Sequence, residues 1–197
     1  MSLIRAFIAI PFPANLQHSI YQKTTPLRTR LGRELVRWVP PENIHITLKF
    51  LGDTPEEKLA LLKTILEKDI VQIHSFDISV KNLGVFPNFS RPSVIWIGAE
   101  GGDKLSTLHE CTQRGASQIG SVPEKRRFSA HLTLGRVTRK GYNSKARSKI
   151  RRVLEESPAY DFGKVPVHSI HIFQSELTQK GAKHRSIFEA KLGDIFE

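Results

Sequence analysis

The sequence predicts an α+β fold: two pseudo-symmetric lobes with antiparallel sheets flanked by helices, and one His-x-Thr strand per lobe lining a central cleft. Three observations carry this expectation. Two tetrads, His45-Ile46-Thr47-Leu48 and His131-Leu132-Thr133-Leu134, repeat one pattern 86 residues apart. With eight His and eleven Thr in 197 residues, fewer than about 0.1 such tetrads arise by chance. Short alternating strands and helical stretches follow one another irregularly, which favours antiparallel sheets over a parallel doubly wound arrangement. No low-complexity linker separates the halves, so the chain reads as a single bilobal domain over residues 1–197.

Leu3 to Ile10 is apolar but brief, is interrupted by Arg5 and is followed by Pro11 and Pro13. It reads as a strand, too short for a spanning helix and lacking the form of a signal peptide. Asn15 to about Leu31 carries Leu16, Ile20, Leu27 and Leu31 among polar residues, as in a helix kinked by Pro26. Val36 to Val39 is a short strand, and Pro40 to Asn43 a turn into the first tetrad, whose strand Gly52 closes. Thr54, Pro55 and Glu57 have the spacing of a capping box with Pro at the first helical position, ahead of a helix reaching about Lys68. Phe76, Ile78 and Val80 alternate with polar residues, and Ser93 to Gly98 is a more buried strand; Gly84 to Pro92 between them is rich in turn residues. A helix over about Asp103–Ile119 turns Leu105, Leu108, Ala116 and Ile119 inward. After the second tetrad, a basic helix over about Ser144–Glu156 buries Ala146, Ile150, Val153 and Leu154. Val165–Phe173 and Ser186–Leu192 finish the chain as strands.

Strand parity gives the tetrads their chemistry. Residues i and i+2 share a face, so each His projects beside its Thr while Ile46, Leu48, Leu132 and Leu134 point into a core. Two imidazoles supply a general acid and a general base near neutral pH. Two hydroxyls bond phosphate oxygens and stabilise charge that builds at phosphorus. Together the four side chains suit phosphodiester cleavage without a metal, since neither tetrad carries Asp, Glu or Cys at ligand spacing. Either tetrad alone is better read as a strand residue next to a good strand former. The repetition reverses that balance.

The formal charge of +11 and pI near 10.0 favour anionic partners, nucleic acid or nucleotides before a membrane surface. Cys111 is the lone cysteine, so no internal disulfide or Cys-based zinc site is possible, and a reducing cytoplasm fits. Of the other histidines, His18, His74 and His109 are expected on helix or loop surfaces, and His168 and His171 as cross-strand partners. His184 precedes Ser186 in His-x-Ser spacing, but Arg185 breaks the apolar pattern, leaving His184 a peripheral binding candidate.

These residues resemble the two-histidine (2H) phosphoesterase superfamily, and within it the LigT-like RNA 2′,3′-cyclic phosphodiesterases, also called 2′-5′ RNA ligases. The resemblance runs through Arg5 to Ile10, Trp38-Val39, Asn43 to Gly52, Gly84 to Pro87, Trp96, Arg127-Phe128, His131 to Arg136, and Ser175 to Leu177 with Gly181. It implies that His45 is the proton donor and His131 the proton acceptor, with Thr47 and Thr133 on the phosphate. It further implies that Phe50 contacts the nucleobase or ribose and that Arg136 binds phosphate. Both lie five positions after a tetrad His, on the wrong face of a regular strand, so a twist, bulge or strand end is expected there. Two positions depart from the family pattern: Ala130 stands where Pro is frequent, and His184 where relatives often have Tyr.

The implied reaction is metal-independent and cofactor-free hydrolysis of a terminal 2′,3′-cyclic phosphate to a 2′-phosphomonoester by a cytoplasmic monomer. Its substrates are RNA ends, tRNA among them, or nucleoside 2′,3′-cyclic phosphates. The rival readings are reversible 2′-5′ RNA joining or 2′-5′ cleavage by the same residues, and a non-catalytic RNA-binding module.

Overall fold

A computed structural model describes residues 2–124, 126–179 and 181–194. Among them, nine strands join in one antiparallel sheet. The strands are β1 (Leu3–Pro11), β2 (Val36–Trp38), β3 (His45–Pro55), β4 (Phe76–Phe86), β5 (Val94–Glu100), β6 (His131–Val137), β7 (Asp161–Val167), β8 (Ser169–Thr178) and β9 (Gly181–Lys191). The helices are α1 (Ala14–Lys23), α2 (Thr25–Leu35), α3 (Glu56–Ile70), α4 (Gly102–Gln118) and α5 (Ser144–Glu155).

The strand order β7-β4-β5-β6-β3-β1-β8-β9 resolves into two matching halves. One is β6-β5-β4-β7 and the other β3-β1-β8-β9, and they meet where Ile46 pairs with Leu132. The two expected sheets are thus one sheet with a pseudo-two-fold seam, and each tetrad lies on one side of that seam. A single residue, His168, carries the chain from β7 at the outer edge of one half to β8 inside the other. Consecutive Cα atoms are only about 3.8 Å apart, so the sheet must bend back on itself to bring its ends together. The Leu192 amide donates to the His168 carbonyl at 2.8 Å, fastening this crossing.

Ile46, Leu48, Leu132 and Leu134 lie in the core with Ile8, Ile10, Ile95 and Ile97. α3 and α4 pack side by side against the half that holds β3 and β9, with Leu62, Ile65 and Leu66 against Gly115. α2 and α5 pack on each other, burying Leu27 and Leu31 on one helix and Ile150, Val153 and Leu154 on the other. Among the described residues no helix is long and apolar enough to cross a membrane.

Several element boundaries differ from those read in the sequence, each for an identifiable physical reason. The first helix is two: it breaks at Thr24, and Pro26 sits in the first turn of α2, where a missing N–H costs nothing. The capping box does not form. β3 continues through Thr54 to Pro55 by pairing with β1, and the Thr54 hydroxyl donates to the carbonyls of Leu51 and Gly52. β4 extends to Phe86 through a stretch read as turns, because Gly84 lies under the Trp96 ring of the paired strand. The late strand read from Val165 to Phe173 is β7 and β8 in near continuation, which is why its alternation reads as unbroken.

Candidate active site

The seam fixes the site. With Ile46 opposite Leu132 in an antiparallel pair, His45 faces Thr133 and Thr47 faces His131. The imidazoles occupy diagonal corners, and diagonal Cβ atoms on neighbouring strands lie about 7 Å apart. All four side chains are partly exposed while the residues between them are buried. That spacing suits one phosphate held between two rings.

The ring orientations repeat as well. His131 Nδ1 lies 2.7 Å from the Ser129 carbonyl, and His45 is bonded to the backbone of Asn43, in each case two residues back. An Nδ1–H donated to a carbonyl leaves Nε2 as the working nitrogen of both rings. His45 Nε2 accepts from the Thr47 hydroxyl at 3.1 Å.

Both strands carry the irregularity that their fifth residues need. The β1–β3 register jumps so that Ala9 pairs with Thr47 but Ile8 with Lys49; the β5–β6 register jumps so that Trp96 pairs with Thr133 but Ile95 with Gly135. Leu48 and Lys49 are both buried, as are Leu134 and Gly135. Each bulge reverses the parity beyond it and turns Phe50 and Arg136 onto the face of the imidazoles. Phe50 is 61 % exposed, its ring 6.2 Å from that of Phe7. The seam therefore runs from Phe50 past the four tetrad side chains to Arg136. Lys49, 1 % exposed, reaches the opposite side and donates to the Val122 carbonyl at 2.6 Å, while Gln113 donates to the bulge carbonyl of Leu48 at 3.3 Å.

Aromatic packing sets the electrostatics. Phe7 stacks on His45 at 4.9 Å with Phe173 behind it at 5.3 Å, and His184 meets His45 edge-on at 5.5 Å. Burial lowers the His45 pKa to about 4, aided by the charges of His184, His131 and Arg136 and opposed by the Asn43 backbone bond. His131 is also lowered, first by burial and then by Arg136, against the Ser129 carbonyl; His184 is lowered by burial. Phe86 lies edge-on to His131 at 4.9 Å, with Trp96 at 6.4 Å. Both imidazoles therefore favour the neutral form in the free protein at neutral pH, and an anion placed between them would raise both toward protonation.

The structure thus gathers His45, Thr47, His131, Thr133, Phe50, Arg136 and His184 around one seam. Phe7, Phe173, Phe86 and Trp96 back the imidazoles, and the sequence does not single them out as site residues because there they are indistinguishable from core aromatics. The other histidines have local partners: His18 with the Ala14 carbonyl, His74 with that of Asp194, His109 stacked on Phe128, and His171 with Ser186 and Glu189. His168 occupies the β7–β8 crossing, not a strand. Among the described residues, no three His, Cys, Asp or Glu converge as a metal site would require.

Comparison with known proteins gives matches of the same kind along the whole chain. A family model described as LigT-like phosphoesterase matches residues 10–96. An RNA 2′,3′-cyclic phosphodiesterase of Archaeoglobus fulgidus is 36% identical over 185 residues, covering 93% of this chain and 98% of the relative. One from Aquifex aeolicus is 32% identical over 200 residues, covering 98% and 100%. In fold, the chain is similar to E. coli LigT complexed with 3′-AMP, with a TM-score of 0.77 at 23% identity over 97% and 99% of the two chains. A Thermus thermophilus protein matches with a TM-score of 0.76 at 25% identity over 98% and 100%. Identity of 36% and 32% to curated relatives over 93% and 98% of the chain, a shared fold and a duplicated His-x-Thr seam converge on one assignment: this chain belongs to the LigT-like phosphoesterases of the 2H superfamily.

Proposed function

We propose that the protein hydrolyses 2′,3′-cyclic phosphates at RNA ends or on nucleosides to 2′-phosphomonoesters, without a metal. The observation that carries this reading is the antiparallel seam at Ile46 and Leu132, which sets two imidazoles and two hydroxyls around a space for one phosphate. His131 Nε2 takes a proton from water as its oxygen bonds to phosphorus. The bond from phosphorus to the 3′ oxygen breaks, and His45 Nε2 delivers a proton to that oxygen. Thr47 and Thr133 bond the non-bridging oxygens, Arg136 adds positive charge, and Phe50 offers a face to the base. The acid and base roles of the two histidines follow the family resemblance. The curated relatives named RNA 2′,3′-cyclic phosphodiesterase support this substrate class.

The chain acts as one bilobal monomer in the cytoplasm, where the buried Cys111 thiol remains reduced, and tRNA is among its substrates. The test is incubation in excess EDTA with the four nucleoside 2′,3′-cyclic monophosphates, a cyclic-phosphate oligomer, a 2′-5′ dinucleotide and paired tRNA halves. A 2′-phosphate product from the cyclic substrates supports the reading. A 3′-phosphate reverses the leaving-group geometry, and turnover confined to the 2′-5′ linkage or the tRNA halves replaces hydrolysis with cleavage or joining.

A further inference from the structure

We propose that Arg37 and Arg136 form a subsite for the phosphodiester immediately 5′ of the terminal nucleotide, which makes the protein an enzyme of polynucleotide ends more than of free mononucleotides. This rests on the function proposed above. β2 lies along β6 beyond the seam, with Val36 opposite Val137, Arg37 opposite Arg136 and Trp38 opposite Gly135. A Cβ on Gly135 would meet Val36 and Trp38, so those two side chains occupy the inner face and Arg37 the outer. Two arginines therefore face each other across a strand pair, both exposed, with backbones about 5 Å apart. Like charges directly opposite destabilise a sheet. The opposite neighbour of Arg136 in the sheet is the apolar Val94, and among the described residues neither arginine has an ion-pair partner, although Arg5, Arg30 and Arg151 each do.

Direction along the seam identifies the ligand. The bulge at Leu134 and Gly135 brings Arg136 onto the face of His131 and Thr133, next to the row of His45 and Thr133. If His45 protonates the 3′ oxygen, C3′ lies at that end, and the C4′–C5′ arm leaves the ribose toward β2. The base, attached on the 2′ side, points back toward Phe50. A chain continuing from the 5′ oxygen carries its next phosphate to the arginine pair. A single anionic phosphodiester there supplies the charge that the pair lacks, and two guanidinium groups offer ample donors for its two free oxygens. A nucleoside cyclic monophosphate reaches the tetrads, Phe50 and Arg136 but offers no phosphate to Arg37.

The experiment compares wild type, R37Q and R37K on a nucleoside 2′,3′-cyclic monophosphate and on a tetranucleotide ending in the same cyclic phosphate, over a range of salt. Wild type is expected to open the oligomer with at least about tenfold higher kcat/KM. R37Q should lower the oligomer value about tenfold more than the mononucleotide value, and flatten the oligomer's log–log salt slope by about 0.7, one phosphate contact on a single strand. R37K should recover most of that slope. Equal losses on both substrates in R37Q, or an unaltered slope, overturn the subsite while leaving the proposed function standing. If wild type opens neither substrate, the proposed function fails and the subsite fails with it.

Discussion

Holding His45 neutral against Phe7 and beneath His184 has a consequence for stability that H45Q isolates. The ring titrates near 6.5 when unfolded and at about 4 in the fold, with burial the largest cause. A group whose folded pKa is depressed contributes stability that is fully present above its unfolded pKa. That contribution is lost as pH falls from about 6.5 toward about 4, because the unfolded chain binds the proton first. At about 1.4 kcal/mol per pH unit the displacement corresponds to at most about 3 kcal/mol, and about 2 kcal/mol after discounting for the ring's remaining solvent access. The assay is urea unfolding of wild type and H45Q between pH 7.5 and 4. Other lowered histidines, His131 and His184 among them, titrate in both proteins, so their contributions cancel in the difference apart from their charge coupling to His45. The advantage of wild type over H45Q should shrink by about 2 kcal/mol across that window. Parallel curves would mean that His45 carries no penalty for its charge in the fold, and the burial explanation would fall with them.

Three further outcomes rest on the same geometry. Because both imidazoles are lowered in the free protein, the bell of kcat/KM against pH should peak below pH 6.5, while that of kcat, which reports the phosphate-bound state, moves to higher pH; steady-state profiles with a cyclic mononucleotide check both. T47V should lower kcat about 30- to 1,000-fold, the loss of about 2–4 kcal/mol of transition-state stabilisation by one preorganised donor, with little change in unfolding midpoint. G84A places a Cβ 2.3 Å from the Trp96 ring and should cost about 1–3 kcal/mol by overpacking, measured as a lowered urea midpoint.

The tetrads are legible in the sequence because period-two alternation is a local property: His45 and Thr47 share a face whatever the rest of the chain does. The need for a bulge before Phe50 and Arg136 is also legible, as a conflict between parity and role, but its form is not. The bulge depends on registers with β1 and β5 that lie far off in sequence. Tertiary pairing likewise overrides the capping signal at Thr54, since an extended partner is available in β1. The β7–β8 crossing is hidden because one residue, His168, changes the strand's partners without disturbing its alternation. Phe7, Phe86 and Trp96 show the same limit. Phe7 and Trp96 read as apolar strand residues and Phe86 as part of a turn-rich connection, and only the folded sheet shows which rings lie against an imidazole.

We propose that His45 and His131 act as one acid–base unit on one phosphate. Turnover of a nucleoside 2′,3′-cyclic monophosphate by wild type, H45A, H131A and the double variant, each verified as folded, decides whether they act so. Groups that act as a unit are strongly non-additive, so each single variant should lose nearly all activity and the double variant should be little worse than either. Near-wild-type turnover in either single variant, or losses that multiply in the double, would mean that the two histidines do not share one reaction.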